Sequence, residues 1–179
     1  SDVYKRQAEN YRRPSNIGMT FGTDAATTRN INWYTKCTVD GAKVKPYNTD
    51  IQIVPYSENP QFSNQLPAGV KVKASKETAK LQFPGIDIGV FGLFPYYFDV
   101  TRHMVEITGL KAGEKYCFRV GDAEKGWWSD AGVIETADRS NQLTFFHMSD
   151  SQSQSERQYS RSWAKVLDTA YKMLSLIHI

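Results

Sequence analysis

The sequence predicts a mainly β protein, an antiparallel β-sandwich followed by the opening of an α/β unit. Three observations carry this. About seven short stretches of alternating apolar and polar residues, separated by frequent turn signals, occupy the chain up to residue 138. No convincing helix pattern interrupts them. Beyond a short polar stretch at 139–142, the strand formers Leu143 to Met148 run into Ser149-Asp150-Ser151-Gln152 and then into a helix-period pattern, the strand, loop and helix order of an α/β unit.

Asn16 to Thr23 and Asn30 to Thr35 both alternate, and the Asp, Ala and Thr cluster between them marks a turn. Asp50 to Tyr56 is a third strand, which Pro55 assigns to an edge or a strand end. Val70 to Phe83 reads as a hairpin, with Ser75-Lys76-Glu77-Thr78 as its turn. Arg102 to Leu110 is another strand, with Met104 and Ile107 as expected core residues. Tyr116, Phe118 and Val120 share one face at period two. Gly126 to Asp130 then leads into Gly132 to Thr136, the last strand.

Pro84 to Val100 exceeds what a sandwich needs. Ten apolar residues spaced by three Gly and two Pro read as a long apolar loop without periodicity. It either folds over an open end of the sandwich or packs against a further domain or partner. Cys37 shares the parity of Trp33 and points inward, whereas Cys117 lies between two inward residues and points out, so two free thiols are expected.

Leu110-Lys111-Ala112-Gly113-Glu114-Lys115-Tyr116 followed by Phe118-Arg119-Val120 resembles the corner of a fibronectin type III-like domain, in which a Leu packs inward and a Tyr hydroxyl ties down the turn. Trp33 matches the buried Trp of an early strand, and Trp128-Ser129 with Ile134-Glu135-Thr136 the closing one. More specifically, Met19-Thr20-Phe21-Gly22-Thr23, Asn32-Trp33-Tyr34-Thr35 and Arg119-Val120-Gly121-Asp122 resemble the N-terminal domain of purple acid phosphatase-like enzymes. The resemblance implies a domain over 8–138, a linker at 139–142 and the start of a calcineurin-like metallophosphoesterase domain over 143–173.

In that resemblance the first catalytic strand ends in a metal-binding Asp, and Asp150 matches it. Asp150 or Ser153 capping the next helix is the competing reading. The family pattern is Asp-x-His or Asp followed by small residues, so Gln152 is a departure. A His would add a nitrogen ligand, whereas an amide oxygen is a poor donor to iron or zinc. Gln152 is therefore assigned a weak metal or phosphate contact. The resemblance implies a dinuclear centre of iron, zinc or manganese in the parent enzyme, with a phosphate ester as substrate. No catalytic residue is assigned within the chain. His147 falls on the opposite strand face from Asp150 and reads as an interior histidine. Tyr159, Trp163, Val166, Leu167, Ala170 and Tyr171 form a helical stripe expected to cover a sheet.

A net charge of +3, from 22 basic and 19 acidic residues without a run of like charge, gives no case for nucleic-acid binding. No apolar run approaches the ~18 residues of a membrane span. Residues 1–7 and 174–179 resemble translated sequencing-adapter DNA, so both are set aside as artefactual ends and the chain is expected to be an inactive fragment. The resemblance implies an extracellular or cell-envelope location. The alternative is a fibronectin-like adhesion or ligand-binding module of a non-enzymatic or degenerate protein, because a sandwich alone fixes no function.

Overall fold

Period-two patterning over the first part of the chain becomes ten strands in the computed structural model, which describes residues 13–39, 42–43, 45–87, 93–140, 164–170 and 172. The chain divides into two units, Ser1–Arg139 and Ser140–Ile179. In the first, β1 (Ser15–Phe21), β2 (Arg29–Lys36), β7 (Leu93–Thr108) and β6 (Lys71–Asp87) form one antiparallel sheet in the order β1-β2-β7-β6. β10 (Gly132–Glu135), β8 (Lys115–Asp122) and β5 (Asp50–Pro55) form the other, with the short β9 (Trp127–Trp128) also on β8. β3 (Thr38–Val39) and β4 (Ala42–Lys43) make a small ribbon. Four strands facing three is the order of an immunoglobulin-related sandwich.

The inner faces meet in a core of Ile31, Trp33, Ile53, Val70, Val105, Ile107, Leu110, Tyr116, Phe118, Val120 and Ile134. Trp33 and Leu110 are buried as expected. The corner is as expected too, since the Lys111 N–H donates to the Tyr116 hydroxyl at 3.0 Å. Pro55 ends an edge strand. Gly109, at φ 78°, passes so close to Gly69 that an added Cβ would lie 2.1 Å from the Gly69 carbonyl oxygen. The narrower second sheet leaves part of β1 uncovered, and Met19 and Phe21 stay exposed. Asn16, at φ 51°, sits where the β1 register shifts between Ser15 and Gly18.

Three expectations are corrected. Ser75 to Thr78 is not a turn: these residues pair one by one with Met104 to Thr101, within a single strand of 17 residues. They are polar because β6 is an edge strand whose outer face meets solvent. The described residues of Pro84 to Val100, 84–87 and 93–100, are strand rather than loop. There β6 and β7 pair with each other, with Phe83 opposite Tyr96 and a bulge at Pro84-Gly85, where the missing Pro N–H leaves no ladder bond to lose. What the side chains of this stretch pack against lies outside the described residues. Of the two core residues named on β7, Ile107 is fully buried but Met104, three positions away, faces the opposite side and is only half-buried.

Both cysteines are free, as parity suggested. Cys117 points away from the core yet is 3% exposed, because the segment after β5 lies over the outer face of the second sheet. Its thiol donates to the Ser57 carbonyl at 3.4 Å.

In the second unit, residues 164–170 are helical and carry an Asp168–Lys172 ion pair of 2.7 Å at helical spacing. Val166 and Leu167 are exposed. The other stripe residues, apart from Ala170, lie outside the described residues.

Candidate functional site

Polar groups inside a sandwich are costly unless paired, so those present show where the fold is held. On the inner face, β2 and β7 place Trp33 directly across from His103, and the two rings stack at 5.0 Å with planes 5° apart. His103 is fully buried. Its Nε2 lies 2.8 Å from the Thr35 hydroxyl and its Nδ1 2.9 Å from the Thr49 hydroxyl. Hydroxyls can accept from either nitrogen, so the hydrogen-bond pattern would tolerate a second proton. Removal from water opposes it, and so does Lys76, directly across on β6; Asp122 pulls the other way. The imidazole is held down to about 4.

Asp122, at the end of β8, is 1% exposed. Burial alone would push its carboxyl up, but N–H donors from Asn48 at 2.9 Å and Lys125 at 3.0 Å, with the Lys125 ammonium at 3.2 Å, hold it below the usual carboxylate range. The same ammonium lies over the rings of Tyr47 at 4.5 Å and Trp127 at 5.4 Å. This aromatic recess is filled by the protein's own lysine.

A third cluster fixes the exit from the sandwich. Arg29, 3% exposed, donates to the carbonyls of Ala25 at 2.6 Å, Thr28 at 2.7 Å and Glu135. Burial lowers its pKa, with Asp24 opposing. Past β10, the Thr136 hydroxyl donates to Lys111 O at 2.6 Å and accepts from Glu114 N at 2.9 Å. Ala137 N–H donates to Ala25 O at 3.1 Å, and Arg139 pairs with Asp24 at 2.9 Å. The turn at Asp24 and the corner thus grip residues 135–139, the last before the second unit.

None of these clusters is a metal site. Among the described residues no three His, Cys, Asp or Glu side chains converge to hold an ion, and His103 and Asp122 already spend their donor atoms inside the fold. The described donors do not fit a dinuclear centre. Asp150 and Gln152, with His147, Ser149 and Ser151, lie outside the described residues.

The model of the "Purple acid Phosphatase, N-terminal domain" matches residues 14–136, a span that holds the buried Trp on β2, the tyrosine corner and the closing β10. The chain belongs to this family. The match begins just before β1 and ends at Thr136, the residue that ties β10 to the corner, so the purple acid phosphatase N-terminal domain is the sandwich itself. No curated protein matches the chain. The family makes the chain part of a phosphatase-related protein. No helix among the described residues is long and apolar enough to cross a membrane.

Sequence reasoning passed over His103, Arg29 and the Asp122–Lys125 pair. The signal for His103 was present: it shares period-two parity with Ile107, which the alternation places in the core. Arg29 shares the parity of Ile31 and Trp33, but its partner carbonyl at Glu135 lies 106 positions away and has no signature in the local sequence.

Proposed function

We propose that this chain is the leading part of a metal-dependent phosphoesterase, a sandwich followed by the first strand and helix of the catalytic domain. The family match over 14–136 carries this reading. It is supported by the strand-forming run Leu143 to Met148, which places Asp150 at a strand end shortly past the linker, where α/β enzymes hold ligands. In the parent enzyme Asp150 binds one ion of a dinuclear centre of iron, zinc or manganese, and Gln152 stands beside it as a weak ligand or phosphate contact. Metals held there would supply a water acidic enough to act as the nucleophile toward the phosphate ester. One carboxylate and one amide are too few donors for two metals, so the 179-residue chain alone is expected to hydrolyse nothing. An extracellular or cell-envelope location agrees with this reading.

The test is to express the longer reading frame that contains the chain, measure metal by mass spectrometry, and assay an aryl phosphate. The expected result is two metal ions per chain and turnover, with Asp150→Ala losing at least one ion and about 100-fold or more of the rate, in line with removal of a principal stabilising group. A well-folded parent that binds no metal and turns over no ester would overturn the proposal. It would leave the sandwich as an adhesion or ligand-binding module.

A further inference from the structure

The outer face of the four-stranded sheet is furrowed across its strands. Cross-strand register places Tyr34, Arg102 and Glu77 in one row and Asn30, Glu106 and Lys73 in another. Between these long side chains lies a shorter row of Asn32, Met104 and Ser75, continued on β1 by Gly18. An added Cβ at Gly18 would sit 3.0 Å from the Asn32 Oδ1, so the amide occupies the space that the glycine leaves. The result is an open cavity of about 510 Å³, with Asn32, Ser75 and Met104 along its floor.

Charge limits what the groove can hold. Arg102 is paired with Glu77 at 2.6 Å, and Lys73 stands directly across from Glu106. The walls are charged but neutral in sum, whereas a phosphate would call for cations not already matched by carboxylates. What remains suits a neutral ligand. Asn30, Asn32 and Ser75 each offer a donor and an acceptor, the pair that a hydroxyl needs. The half-buried Tyr34 and Met104 supply apolar surface for C–H faces. A groove open across the sheet accepts a chain where a closed pocket would take a single small molecule.

We propose that this groove binds a neutral oligosaccharide. The inference does not depend on the phosphoesterase reading, since every residue in it lies on β1, β2, β6 and β7.

The experiment uses the full 179-residue chain, isotopically labelled and titrated with cellohexaose, xylohexaose, mannohexaose and maltohexaose, with inorganic phosphate as a control. Backbone amide shifts give both the site and the affinity. Saturable shifts centred on 30–34, 73–75 and 102–106 are expected with at least one hexasaccharide. Asn32→Ala and Tyr34→Ala should each weaken binding about fivefold or more, the loss expected for one hydrogen bond or ring contact. Both variants should keep a cooperative melt. If either fails to fold, Ser75→Tyr fills the floor from an exposed position and should abolish binding. Lack of saturable shifts with all four sugars, shifts centred elsewhere, phosphate displacing the sugars, or undiminished binding in the folded variants would each overturn the proposal.

Discussion

His103 shows how a single side chain can set the pH range of a fold. The unfolded chain takes up its imidazole proton near the ordinary 6.5, the folded protein only near 4. Between those values the unfolded state binds more protons, so stability is complete above 6.5 and falls as the pH drops through the window. At 1.36 kcal/mol per pH unit, the loss approaches roughly 3 kcal/mol by about pH 4. Melting measured from about pH 7 to 4 should show this slope, and His103→Gln should flatten it. An unchanged slope in that variant would overturn this assignment; Asp122 could not supply the slope, because its contribution is lost only below the ordinary carboxyl value. The local signal for His103 was ambiguous, because Ile107 shares its parity while Met104, read as core, has the opposite one. Asp150 and Gln152, by contrast, were chosen on the sequence pattern alone, and their assignment still rests there.

At the scale of elements, period two read most strands well because one face of each is buried and the other wet. It failed where that contrast fades. Past Ala74, β6 turns Lys76 inward to donate to the Tyr47 carbonyl at 2.8 Å, so both faces become polar and the strand imitates a turn. The same edge carries Lys71, Lys73, Lys76 and Lys80, charges that discourage pairing with another chain. The contact of β8 with β9 is tighter: a Cβ at Gly121 would lie 2.0 Å from the Trp127 carbonyl oxygen. Gly121→Ala should therefore separate the two strands and cost about 2 kcal/mol, measured by denaturant unfolding. The loss should be matched by weaker exchange protection at Gly121 and Trp128, which pair across this contact. A neutral substitution would mean that the close approach is not maintained in solution. The oligosaccharide groove was not legible from the sequence for a related reason. Its residues are spread over four separate segments of the chain and meet only once the register is fixed.

For the whole molecule, the sandwich holds its own closing strand. Thr136, Ala137 and Arg139 bond back to the corner and to the turn at Asp24, all within the first unit. A chain of residues 13–139 should then unfold in one cooperative transition, with a midpoint within about 4 °C of that of the full chain, a difference below roughly 1 kcal/mol for a domain of this size. Calorimetry checks this, and a broad or strongly lowered transition would show that the sandwich draws part of its stability from residues 140–179.

The central place of β7 governs the order in which this sheet can form. β2 finds its partner only after about 70 further residues have been made, so the β1–β2 pair, with Met19 and Phe21 exposed, must wait. β6 and β7 adjoin in sequence and pair along most of their length. Their hairpin can close early and present the free edge of β7 as a template, so the rate-limiting event becomes the capture of β2 by an already assembled ribbon.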